Sequence, residues 1–302
     1  MNTVSLRSVL VVGLLMSNQA FAWGQKGHMA VNRVAISMVS NPEAKKFLQT
    51  NSREVIRFAS TPDTQWKSGP DADKEKPMHW FQMDAYNSNR LGDGLADVVF
   101  GRAQDELGQD YIQKNGLAMW RVSDFYVQLL DALKKGDFKR AVQIAGVMGH
   151  YVGDMTQPMH ATSDYDAQSI NKPGSHKYYE TTLVDRMDDN HLDASAEQVA
   201  GTRRSELERL VGNDLDNSKI QHLAWGEASG AYNDLKGVYD RFEQSSPDDQ
   251  WLEGDVSPRI GRASALLGKI WDVAFASVGA GKLPDKSVGA KEPEWMPMLN
   301  QN

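Results

Sequence analysis

The chain has 302 residues, 40% of them apolar and 24% charged, enough to bury a substantial core in one or two domains. Cysteine is absent, so disulfides and thiolate zinc sites are both excluded, and any metal must be held by nitrogen and oxygen. A formal charge of -7 gives no general attraction to nucleic acid or an anionic membrane, although it is compatible with a local basic groove.

In chain order, Arg7 precedes the apolar stretch Val9 to Met16, polar residues follow, and then Ala20-Phe21-Ala22. This order of charged, apolar and small residues predicts a secretory signal peptide over residues 1–22, cut after Ala22 to leave Trp23 as the new terminus. The mature chain would be secreted or periplasmic, because no second apolar run reaches the ~18 residues that a membrane span needs. Beyond the leader, apolar residues recur at three- and four-residue spacing without strand-like alternation, which predicts an all-α, single-domain helical bundle over 23–278. The expected helices run from Met29 to Met38, Leu117 to Leu133, Lys139 to Thr156, Tyr178 to Met187, Ala196 to Val211, Leu223 to Phe242 and Pro258 to Ser277. Ser257 is the expected N-cap of the last, with Pro258 at its first position. From Gly279 to residue 302 the sequence is rich in Gly, Pro and Lys without periodicity and reads as a poorly ordered tail.

The segment HYVGDMTQPMH, His150 to His160, places His150 and Asp154 four residues apart, so both project from one helical face toward a single divalent ion. His160 lies six residues beyond Asp154, after Pro158, and should aim elsewhere in the same cleft, which suits a cluster of ions better than one. His176 and Glu180 repeat the four-residue spacing, and His160 would complete a three-ligand site with them. Asp63 and His79 lie upstream in irregular stretches, and His28 follows Trp23 by five residues. Of the seven histidines, five fall in these stretches, and only His191 and His222 lie outside. That concentration favours a metal site over scattered structural roles.

These motifs resemble the bacterial zinc-dependent phospholipases C and their relatives, the single-strand-specific zinc nucleases of fungi and plants. The similarity runs from Trp23 to about Asp185, and HYVGDMTQPMHA followed by SHKYYETTLVD is similar to the phospholipase pattern almost throughout. The resemblance implies a cleft with three Zn2+ ions in a helical bundle. Trp23, through its terminal nitrogen and carbonyl, would hold one ion with His28 and Asp154. Asp63, His79, His150 and again Asp154 would hold a second, and His160, His176 and Glu180 the third. The short WGQKGH spacing is similar to the nuclease branch, whereas Glu180 and the absence of a glycine-rich insertion before His176 are similar to the phospholipase branch. Thr64 and Lys76 stand where choline-specific members carry aromatic residues.

The activity implied is phosphodiester hydrolysis, with Asp63 as general base, water-orienting group or plain ligand. A phospholipid is the first expected substrate, cut to diacylglycerol and a phosphorylated headgroup with transient contact at a membrane surface. Single-stranded nucleic acid is the alternative, and a metal-binding protein without catalysis the third reading; no obligate protein partner is implied. Trp66, Trp80, Phe81 and Tyr86 flank Asp63 and His79, where they would either face a quaternary ammonium or nucleobase or serve as core. Lys76 and Lys177 read as solvated charges.

Overall fold

The computed structural model describes residues 23–87, 94, 98–244 and 249–299. The expected signal peptide lies outside the described residues. Among them every regular element is helical, as the apolar periodicity predicts. Six long helices form the frame: α1 Gly24–Met38, α2 Ala118–Lys134, α3 Phe138–Asp154, α4 Asp189–Val211, α5 Asn217–Phe242 and α6 Asp249–Ala276. No described helix is long and apolar enough to cross a membrane.

Local chemistry starts several of them. Asp137 accepts from Arg140 N at the head of α3, Asp188 from Asn190 N and His191 N at α4, and Asp216 from Lys219 N at α5. Packing then decides their arrangement. From Ala141 onward α3 is buried on nearly every face and forms the centre, with α1, α2 and α6 around it. Close approach of α1 to α3 depends on small residues: a Cβ on Gly149 would lie 1.7 Å from Asn32 Oδ1, and one on Gly153 3.2 Å from His28 Nδ1.

Three expectations need correction. The last helix begins at Asp249, so Ser257 is no N-cap and Pro258 lies inside α6. Burial of Val256, Ile260 and Ala263 on the core side outweighs the hydrogen bond that proline cannot donate. The segment expected as one helix from Tyr178 to Met187 is instead a turn at Ser175–Lys177, a π-helical stretch at Tyr178–Thr182 and a short helix at Leu183–Arg186. Finally, 279–299 is no loose tail but an irregular strap across the bundle. Val288 N donates to Asn51 Oδ1 at 2.9 Å, Arg121 Nη2 to Met296 O at 2.6 Å and Leu299 N to Asp124 Oδ1 at 2.8 Å, with Met296 buried. The strap has no periodicity because its backbone groups bond to side chains of the bundle in place of one another.

Candidate metal centre

Seven separate elements converge on one buried cleft. His28 comes from α1; Asp63 from the single turn Thr61–Thr64; His79 from the 3-10 turn Lys76–His79; and His150 and Asp154 from the last turns of α3. His160 follows on the 3-10 turn Pro158–His160, where Pro158 has ended the helix, His176 lies on the turn Ser175–Lys177 and Glu180 on the π-helical stretch that follows it. All eight side chains are buried, whereas His191 and His222 are exposed.

They form three groups within metal-ligating range: His28, His150 and Asp154; Asp63, His79 and His150; and His160, His176 and Glu180. Asp154 is shared. Its Oδ1 is 3.6 Å from His28 Nε2, and its Oδ2 is 3.2 Å from His79 Nδ1 and 3.4 Å from His150 Nε2. Ligands at ~2.0–2.1 Å from a tetrahedral ion are separated by about 3.3 Å, so these spacings are those of a coordination shell.

The hydrogen bonds on the far side of each ring decide which nitrogen faces inward. His150 Nδ1 donates to Ala59 O at 2.9 Å, and His79 Nε2 donates to Glu75 Oε1 at 2.9 Å. The remaining nitrogens, His150 Nε2 and His79 Nδ1, therefore turn lone pairs toward each other across 2.8 Å. Two lone pairs at that distance require a cation between them. A proton is disfavoured, because burial holds both imidazoles well below their ordinary pKa. Both oxygens of Asp154 are buried without a hydrogen-bond donor, which again calls for a cation. The residues thus fit a set of divalent ions.

Electrostatics agree. Burial pushes the Asp154 carboxyl up strongly, with Asp63 adding like-charge repulsion, and burial raises Glu180. Burial pushes Asp63 up to about 7, although Lys67 Nζ stands 2.6 Å from its Oδ1 and opposes the rise. Burial takes His176 down to about 3, with the Lys67 charge adding to the effect. Without a cation the acids are pushed toward their protonated form and the imidazoles toward their neutral one; a bound cation would satisfy both.

The S1/P1 nuclease family model matches residues 23–225, a span that contains all eight of these side chains and Trp23. The chain belongs to the S1/P1 nuclease family. Its fold is also that of two bacterial toxins. The alpha toxin of Clostridium absonum is similar with a TM-score of 0.58 and 19% identity over 85% of this chain and 66% of the toxin. The alpha-toxin of Clostridium perfringens from an avian strain has a TM-score of 0.54 and 18% identity over 83% and 64%. A probable serine protease of Bradyrhizobium tropiciagri is 18% identical over 90% of this chain and 46% of its own length. The chain thus spans about two thirds of the toxins and under half of that relative, and at such identities the toxin likeness is one of fold.

Within this family frame, Trp23 sits where the cleft meets the start of α1. It is buried, its Nε1 donates to Gly153 O at 2.8 Å, and its carbonyl accepts from Gly27 N at 3.0 Å. The neighbouring Gly24 packs against the backbone of Glu180 and Thr181. Of the flanking aromatics, Phe81 and Tyr86 stack on each other at 4.3 Å inside the core, and Trp66 is buried with its Nε1 donating to Pro293 O. These three are core, not a ligand cage. Trp80 is half-buried and donates to Lys114 O. Lys177 is exposed and Lys76 partly so, as solvated charges are.

Sequence reasoning missed the residues that hold the ligands. Glu75 sets the His79 ring; His160 Nδ1 donates to His79 O, tying the second group to the third; and Gln157 Nε2 donates to Glu180 Oε2 at 3.0 Å. The i, i+4 spacing of Glu75 and His79 was the one readable signal.

Proposed function

We propose that this protein is an exported zinc-dependent phosphodiesterase whose substrate is single-stranded nucleic acid. The pair of facing lone pairs on His79 and His150, inside a shell of buried carboxylates, carries the metal part of the reading. The family match over every candidate ligand carries the nucleic-acid part. His28, His150, Asp154 and the Trp23 terminus would hold one ion; Asp63, His79, His150 and Asp154 a second; His160, His176 and Glu180 a third. Nitrogen and oxygen donors in tetrahedral spacing suit zinc. Bound zinc supplies acidified water at neutral pH and draws charge from phosphoryl oxygens.

The chain's own residues do the rest. Asp63 is the group placed to hold and orient the attacking water, or it serves as a ligand alone. Lys67 supplies a fixed positive charge beside it, and Glu75, Ala59 O and Gln157 keep the ligands in one orientation. Bound cations would offset locally the excess acid of a mature chain of 32 basic and 40 acidic residues.

A phospholipid substrate is the second reading, supported by Glu180 in the last motif. One side-by-side assay decides between them. The form beginning at Trp23 is purified, its zinc determined, and its turnover of single-stranded DNA and of phosphatidylcholine vesicles compared, with Asp154→Asn as control. Nucleotide release that the control lacks supports the proposal. Phosphocholine release alone moves the protein to the lipid reading, and zinc binding without either turnover removes the enzyme.

A further inference from the structure

We propose that the C-terminal strap belongs to the metal centre: Trp295, acting through Glu75, orients His79 and so sets how tightly the second ion is held. The inference rests on the metal reading above.

Glu75 is completely buried, a position that costs a carboxylate several kcal/mol unless its oxygens are met by donors. Its Oε1 accepts from His79 Nε2 at 2.9 Å and from Tyr151 OH at 2.5 Å. Its Oε2 accepts from Trp295 Nε1 at 2.8 Å, with Arg121 Nη2 more distant at 3.8 Å. Tyr151 and Arg121 stand on α3 and α2, in the frame itself. Trp295 alone comes from the strap.

By accepting the hydrogen bond from His79 Nε2–H, Glu75 leaves Nδ1 as the one lone pair of that ring, facing Asp154 Oδ2 at 3.2 Å. Trp295 holds the opposite oxygen, so the carboxylate plane cannot turn without breaking a bond on the strap. The strap is itself pinned on both sides of Trp295. Trp66 Nε1 donates to Pro293 O at 3.1 Å and Gln128 Nε2 to Pro297 O at 3.0 Å. Thr61, two residues before Asp63, bonds Glu292. The strap therefore touches the supports of both Asp63 and His79, which belong to the same ligand group. A tail that only covered apolar surface would need no bond to a buried carboxylate behind a ligand.

The test measures zinc affinity as well as turnover. Trp295→Phe keeps a large ring and removes the donor. Metal-free wild type and variant are titrated with zinc against a chromophoric chelator, and melting is followed with and without zinc. The expected result is that one ion is held about 10–100-fold more weakly, the range for losing an outer hydrogen-bond partner, while the others are unchanged. Trp295→His, which restores an N–H, should recover part of the loss. Gln143→Ala, which frees Lys291 O elsewhere on the strap, should change no affinity. In a Glu75→Gln background Trp295→Phe should add little, as expected of residues acting in series.

Unchanged zinc affinities in Trp295→Phe, with melting lowered equally for the loaded and free forms, would make the strap merely structural and overturn the inference. A loss undiminished in the Glu75→Gln background would do the same. Wild type that binds no zinc would remove the metal reading and this inference together, and is distinguishable from both.

Discussion

Gly149 and Asn32 meet so closely that no side chain fits between them: a Cβ on the glycine would sit 1.7 Å from the amide oxygen. The amide cannot swing aside, because Asn32 Nδ2 donates to Val55 O at 2.7 Å and to Gly146 O at 2.8 Å. This contact sets the separation of α1 and α3, and with it the stacking of His28 on His150 at 3.7 Å. Gly149→Ala should destabilise the fold by at least about 1–3 kcal/mol, as overpacking of a tight contact does. Gly201→Ala, on α4 with open space around it, should stabilise by roughly 0.5–1 kcal/mol. Denaturant unfolding of the two variants checks the contrast.

Zinc uptake should expel protons, and more of them at lower pH. Asp63 has its pKa pushed up to about 7 by burial, so in the metal-free protein it still carries a proton at pH 6 that an ion must displace. Apparent affinity should rise with pH through 7. A raised folded pKa also means that, without metal, this carboxyl costs stability progressively as pH climbs from its unfolded value of about 4 toward 7. Calorimetric zinc titrations in buffers of different ionisation enthalpy measure the proton count. A pH-independent affinity between 6 and 8 contradicts the expectation.

Lys67 competes with any ion for Asp63. Its Nζ lies 2.6 Å from Asp63 Oδ1, in a buried position where two like charges repel with little screening. Lys67→Met should therefore bind zinc more tightly, by at least about tenfold, equivalent to ~1.4 kcal/mol. Chelator competition on the metal-free proteins reads this directly, and weaker binding in the variant would show that Lys67 supports the site.

The terminal amine of Trp23 gives a fourth expectation. If it is a ligand, a form that keeps one extra residue before Trp23 should lose turnover and one bound zinc while its helical circular dichroism is unchanged. Full activity in that form would remove Trp23 from the ligand set.

The helical class was readable because apolar residues at three- and four-residue spacing can be buried together only on helices. Most candidate ligands were readable too: His150 with Asp154, and His176 with Glu180, are local pairs whose geometry follows from helical pitch alone. Pro258 and the stretch after Gly279 misled for one reason. Both read as breaks by local propensity, yet α6 runs through the proline with its buried face intact, and the strap is held by distant side chains. The sequence by itself determined which side chains are available to hold metal. Only the tertiary structure decided that His28, Asp63, His79 and Asp154 share one cleft, and that Glu75, Lys67 and Trp295 surround it. Some of those contacts join residues far apart in the chain, His28 with Asp154 and Glu75 with Trp295 across 220 positions, and burial makes them matter, because each unpaired charge or lone pair there must find a partner within the protein or from a bound cation.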